Sequence, residues 1–188
     1  MNKESKRDLI LEGLENLLPG RRFHEITLDE VARAAQVGKG TIYLYFKDKE
    51  ALFAELISYQ LERLARELAA LESCPVDKLP EQVFDLVGGF IRQHRAGFGA
   101  AGEAASHIAN LTGEQIEKLR NQSTAVVEAL AGVMKKSLPV WGDEQAALNA
   151  RILLWLVDGF MRSNFAREDC KLNSREILEF FRRGAGLK

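Results

Sequence analysis

With 188 residues, 46% of them hydrophobic, and a formal net charge of −1, the chain holds one or two domains. That is enough apolar material for a core removing roughly 70% of the unfolded surface from water. The near-neutral balance excludes a polybasic nucleic-acid coat, and the charged N-terminus MNKESKRDLILEGLENLL excludes a signal peptide or a membrane span. Cys74 and Cys170 stand outside any CxxC or His-paired spacing; they read as free cytosolic thiols, with redox sensing as the alternative.

Only four prolines and no β-branched alternation predict an all-α fold. A first helix, Glu4 to Leu18, carries Leu9, Ile10, Leu14, Leu17 and Leu18 on one stripe and stops at Pro19-Gly20. Lys3, Lys6 and Arg7 on its first turns read equally as solvated surface or as contacts to a nucleic-acid backbone. The stretch Ile26–Leu52, ITLDEVARAAQVGKGTIYLYFKDKEAL, predicts two short helices around a tight turn and the start of a long third helix. Thr27 and Glu30 have capping-box spacing, with Ile26 and Val31 as the hydrophobic staple. Ala32, Ala35, Val37 and Ile42 let two helices pack closely at a large angle, as a helix-turn-helix requires. Gly38-Lys39-Gly40-Thr41 opens the second helix with little bulk, a start that suits close approach to phosphate. Arg33 to Lys47 holds three cations and no acid, so the basic footprint is a small local patch.

Asp48 caps a helix running to about Glu72, ~36 Å at helical rise, which joins the head to a second helical body. From Leu79 onward no repeat or low-complexity tract occurs. A helix over Pro80–Arg95 buries Val83, Val87, Phe90 and Ile91. The turn Gly97-Phe98-Gly99 follows, then a small-residue helix, Ala100–Asn110, with a further glycine at Gly102. Thr112 and Gln115 form a second capping box opening a helix to Leu138, which Pro139 stops. Asp143 to Arg167 is apolar on nearly every side, so it must be covered on both. Asn173 with Glu176 opens a final helix through Arg183, with Gly184 as its C′ residue.

The run Gly20, Thr27, Val31-Ala32, Val37, Gly40-Thr41, Tyr43, Tyr45-Phe46, Lys49-Glu50 and Leu52 resembles, without gaps, the DNA-binding segment of the TetR family of bacterial transcriptional regulators. Gln36 departs from it where the family usually has glycine, and Gly38 where it has serine or alanine. If that turn needs a positive φ, Gln36 costs about 1 kcal/mol relative to glycine. The resemblance implies a head over residues 1–47 with a helix-turn-helix, and a linker helix plus ligand-binding and dimerisation domain over 48–188. It implies phosphate contacts from Tyr43 and Lys49, and base reading by Lys39, Thr41 and Tyr45 in the major groove. Thr27, Gly38 and Gly40 complete the expected DNA-binding set, while Phe46 wedges the recognition helix onto the core.

In the body, Phe90, His94, Phe98, His107 and Trp155 are candidates for a largely apolar inducer cavity. For His94 the alternative is a helix-end histidine favoured by the dipole, and for Trp155 it is plain core. Val157, Met161, Phe165, Ile177 and Phe181 are candidates for a homodimer interface built as a four-helix bundle. Glu103 and His107 lack the third ligand a metal site needs, no catalytic constellation is present, and no cofactor is expected. The expected protein is a cytoplasmic, non-enzymatic regulator that binds a pseudo-palindromic double-stranded operator, most simply a repressor released by a small molecule. The alternative is a DNA-associated or protein-interaction factor of the same fold without an inducer.

Overall fold

Local capping chemistry sets where the helices begin. In the computed structural model, which describes residues 3–98, 109–166 and 173–187 (side chains at 3–5, 93–98 and 164–166 excepted), the described regular elements are all helical. They are α1 (Lys3–Leu17), a 3-10 turn (Phe23–Glu25), α2 (Leu28–Ala34), α3 (Lys39–Tyr45), α4 (Lys49–Ala69) and a second 3-10 turn (Ala70–Ser73). Then come α5 (Leu79–Phe98), α6 (Gly113–Ser137), α7 (Asp143–Ala166) and α8 (Ser174–Ala185). The Thr27–Glu30 box closes with Thr27 N to Glu30 Oε2 at 2.8 Å and Glu30 N to Thr27 Oγ1 at 3.3 Å. Thr112 and Gln115 repeat it at 2.8 and 3.3 Å, and Asp48 accepts from Ala51 N at 2.7 Å. Each such bond satisfies an N–H that the first helical turn leaves without a partner.

Two helix ends differ from expectation. α5 runs to Phe98 rather than Arg95, so Gly97 and Phe98 are helical and not part of a turn. The expected Gly99, Gly102 and nearly all of the expected helix Ala100–Asn110 lie outside the described residues. At the other end of the chain, Gly186 and not Gly184 takes the left-handed conformation, at φ 70°. Leu187 N then bonds Arg182 O at 2.9 Å while the Leu187 side chain packs on the core, the closure that selects the αL position. Asn173 caps α8 through Arg175 N at 3.0 Å.

The chain divides into two compact units, Met1–Gln60 with Gln93–Gln122, and Leu61–Arg92 with Ser123–Lys188. In the first, Ile10, Leu11, Leu14, Phe23, Ile26, Val31, Ile42, Leu52, Phe53 and Leu56 form a closed core, with the Phe23 and Phe53 rings 4.6 Å apart. α1 crosses α2 so closely that a Cβ on Gly13 would stand 2.9 Å from Ala35 N, which is why that position carries glycine. Glu55 on α4 pairs with Arg7 on α1 and, at 2.8 Å, with Lys118 on α6.

In the second unit, Leu64, Leu68, Val83, Val87, Leu130, Met134, Leu153, Val157, Met161, Leu178 and Phe181 share one core. This corrects the expected dimer surface. Val157, Met161 and Phe181 are buried inside the protomer, because α7 turns the line Ala146–Ala150–Leu153–Val157–Met161 inward and the Met161 methyl occupies the space a side chain on Gly88 would need. The opposite side of α7 leaves Leu148 51% and Trp155 71% exposed, and α8 leaves Phe180 71% exposed.

Candidate nucleic-acid interface

The helix-turn-helix is built on one unusual backbone position. After α2, Gln36 adopts φ +54°, the left-handed region, and Val37 N reaches back to Ala32 O at 2.9 Å. This is the reversal a glycine usually makes, and a side chain there costs about 1 kcal/mol. Gly38, the other departure from the family pattern, sits at the α3 N-cap with φ −69° and ψ 145°, which any residue adopts. Ordinary backbone does not require a glycine there.

α3 presents two sides. Ile42 and Phe46 are buried in the head core, and Tyr45 is half-buried against it, its ring 6.3 Å from that of Phe46. Of the residues expected to read bases, Tyr45 is therefore the one turned towards the core. Outward stand Lys39, Gly40 and Tyr43, the last 53% exposed, with Thr41 half-buried beside them. Lys39 Nζ pairs with Asp29 of α2 at 2.8 Å, and that carboxylate raises the amine's pKa. Both partners are more than half exposed, so the pair is weak and a phosphate can replace the carboxylate.

Thr27 and Lys49 are engaged with the head itself. The Thr27 hydroxyl belongs to the capping box, so any DNA contact from it is shared with Glu30. Lys49 donates to His24 O at 3.1 Å and lies 4.5 Å over the Phe23 ring, and its partial burial pushes the amine's pKa down. An ammonium has three N–H donors, so two remain for a phosphate. Arg21 bonds Glu30 at 2.9 Å and holds its carboxyl down at about 2, together with the Thr27 bonds.

Reasoning from sequence missed Leu44, which is 81% exposed on α3. Its place in the run Ile42-Tyr43-Leu44-Tyr45-Phe46 looks like core, but at about 100° per residue it lies ~160° around the helix from Ile42. It also missed Gly13 and the Arg21–Glu30 tie, which depend on contacts between segments.

Phe90 is half-buried beside the core of the second unit, whereas Trp155 is largely exposed. The side chains of His94, Phe98 and Phe165, and all of His107, lie outside the described residues. Ile177 is half-buried. Among the described residues no group of three or more His, Cys, Asp or Glu side chains gathers as a metal site would require. No described helix is long and apolar enough to cross a membrane.

Against known proteins, residues 5–56 match the family described as "Bacterial regulatory proteins, tetR family". The chain is 29% identical over 140 residues, 69% of its length, to the HTH-type transcriptional regulator EthR of Mycobacterium tuberculosis, and covers 64% of it. It is 39% identical over 62 residues to the uncharacterized HTH-type transcriptional regulator YhgD of Bacillus subtilis, covering 33% of this chain and 32% of that one. The chain thus spans less than two thirds of either relative. Among solved structures, a tetR-family transcriptional regulator from Streptomyces coelicolor superposes with a TM-score of 0.66 at 17% identity, covering 96% of this chain and 80% of that one. FadR from Bacillus subtilis in complex with stearoyl-CoA does so at 0.59 and 16%, covering 93% and 96%. At such identities the likeness is one of fold.

Proposed function

We propose that this chain, a tetR-family transcriptional regulator by its residues 5–56, is a repressor that holds a pseudo-palindromic operator and is released from it by a small-molecule inducer. The observation that carries the DNA-binding part is α3, seated on the head core through Ile42 and Phe46 and showing Lys39, Gly40 and Tyr43 outward. The functional division is a DNA-binding domain over residues 1–47 and a ligand-binding and dimerisation domain over 48–188, in a cytoplasmic protein that is not an enzyme. Tyr43 and Lys49 hold phosphates; Lys39 and Thr41 approach base edges, with Gly38 and Gly40 allowing the backbone near.

The functional unit is a homodimer paired through α7 and α8. Its interface uses the sides of those helices that carry Leu148, Trp155 and Phe180. Large exposed apolar side chains on two neighbouring helices support that pairing. The inducer is largely apolar and contacts Phe90, half-buried beside the core of the second unit. The stearoyl-CoA bound by the similarly folded FadR supports an acyl or comparable chain. Ligand favours a body state in which α4 carries the two heads of the dimer out of register with the operator.

Selection of the full-length protein on a random duplex library, followed by a compound panel read by melting and by release of the selected duplex, tests both halves. An enriched pseudo-palindrome with half-sites about one helical turn apart is expected, ~34–36 Å. Specific binding that no compound relieves would leave a DNA-associated factor without an inducer. No enrichment would remove the regulator reading altogether.

A further inference from the structure

We propose that Leu44 is a specificity-determining residue that reads the C5-methyl group of one thymine in each operator half-site. This rests on the reading of α3 as the recognition helix and adds what that helix recognises. Leu44 is 81% exposed, the most exposed large apolar side chain of its unit among the described residues, on a helix whose other side is firmly seated. With Ile42 pointing into the core, the outward pole of α3 falls at Gly40 and Leu44, each ~160° around from it. Thr41 and Tyr43, at ~100°, face the flanks. Nothing stands within 4 Å of where a side chain on Gly40 would be, so the approach to Leu44 from the preceding turn is open.

The surroundings select the partner. Lys39 and Lys47 are exposed on either side of Leu44, and no acid occurs from Arg33 to Lys47. An apolar protein surface would have to desolvate both cations to cover this leucine. A polyanion welcomes them, and the major groove of DNA offers one apolar group on its base edges, the thymine methyl. A helix inserted with its core side outward from the groove brings its opposite pole deepest, and that pole is a leucine beside a bare glycine. Tyr43 and Lys49 then engage the walls while Leu44 meets the floor.

The test uses the full chain and its selected duplex at fixed salt, with each half-site thymine replaced in turn by deoxyuridine, which removes only the methyl. For the unaltered protein one position per half-site should lose about fourfold in affinity, the equilibrium worth of one buried methyl. Leu44→Ala, at an exposed site that leaves folding and melting unchanged, should bind with no sensitivity to that substitution while keeping its other base preferences. Specific binding that is indifferent to every thymine methyl, or full methyl sensitivity retained in Leu44→Ala, overturns the assignment of Leu44 alone. Absence of any sequence preference in the unaltered protein overturns it together with the regulator reading.

Discussion

At the scale of single residues, the strained backbone at Gln36 and the Arg21–Glu30 tie both make measurable predictions. Gln36→Gly should raise the stability of the protein by about 1 kcal/mol, seen as a higher urea midpoint at unchanged m-value, because the αL position no longer holds a Cβ. An unchanged or lower midpoint would mean the φ of +54° is not strained. The Glu30 carboxyl is lowered from 4.5 to about 2 by Arg21 first and by the Thr27 bonds next. Its folded pKa is thus below its unfolded one, so its stabilisation is complete above about 4.5 and is lost as pH falls towards about 2. Glu30→Gln should flatten the acid limb of melting temperature against pH in that window and leave the neutral region nearly parallel. The Thr27–Glu30 box was legible in the sequence because it is written in two residues three apart. Leu44 was not, because an apolar residue in an apolar run declares its side only when the helix is seated.

At the scale of elements, most starts were legible and some ends were not. Caps at Thr27, Asp48 and Thr112 depend on neighbours within one turn, so they appear in the sequence. The αL residue at Gly186 depends on Leu187 packing on the core, and the glycines alone misplaced both it and the end of α5 at Phe98. α7 is the sharper case. Apolar on nearly every side, it gave no periodicity to separate its core side from its free side, and Met161 was placed on the wrong one. The expected outcomes now divide. Met161→Glu buries a charge in the protomer core and should unfold it, at a cost on the order of 4 kcal/mol or more. Trp155→Glu should leave the melting of the protomer intact and shift sedimentation from dimer to monomer. A Trp155→Glu protein that sediments as an unaltered dimer would remove α7 from the interface.

For the molecule as a whole, positive and negative charges nearly cancel, so the proposed binding to DNA rests on few contacts. The net value of −1 repels a polyanion rather than attracting it, so the head's own cations set the salt dependence. Lys49→Ala should weaken binding to every duplex alike and lower the salt slope by about one for each phosphate left without its lysine. Weakening confined to particular half-site positions would show that Lys49 reads bases and does not hold phosphate. All-helical architecture and the helix-turn-helix were legible from composition and motif. The joining of residues 93–122 to residues 1–60 in one compact unit was not, since a linear reading has no signal for chain return.

That return gives the head a history on the ribosome. Glu55 binds Arg7, 48 residues behind it, and Lys118, 63 residues ahead. At about 5–20 residues per second, Lys118 is made several seconds after Glu55. Through that interval the Glu55 carboxylate can have Arg7 as its partner but not Lys118, so its second cation arrives last. A residue translated long after the first segment thus supplies a second, partly exposed ion pair to it, worth about 1 kcal/mol or less.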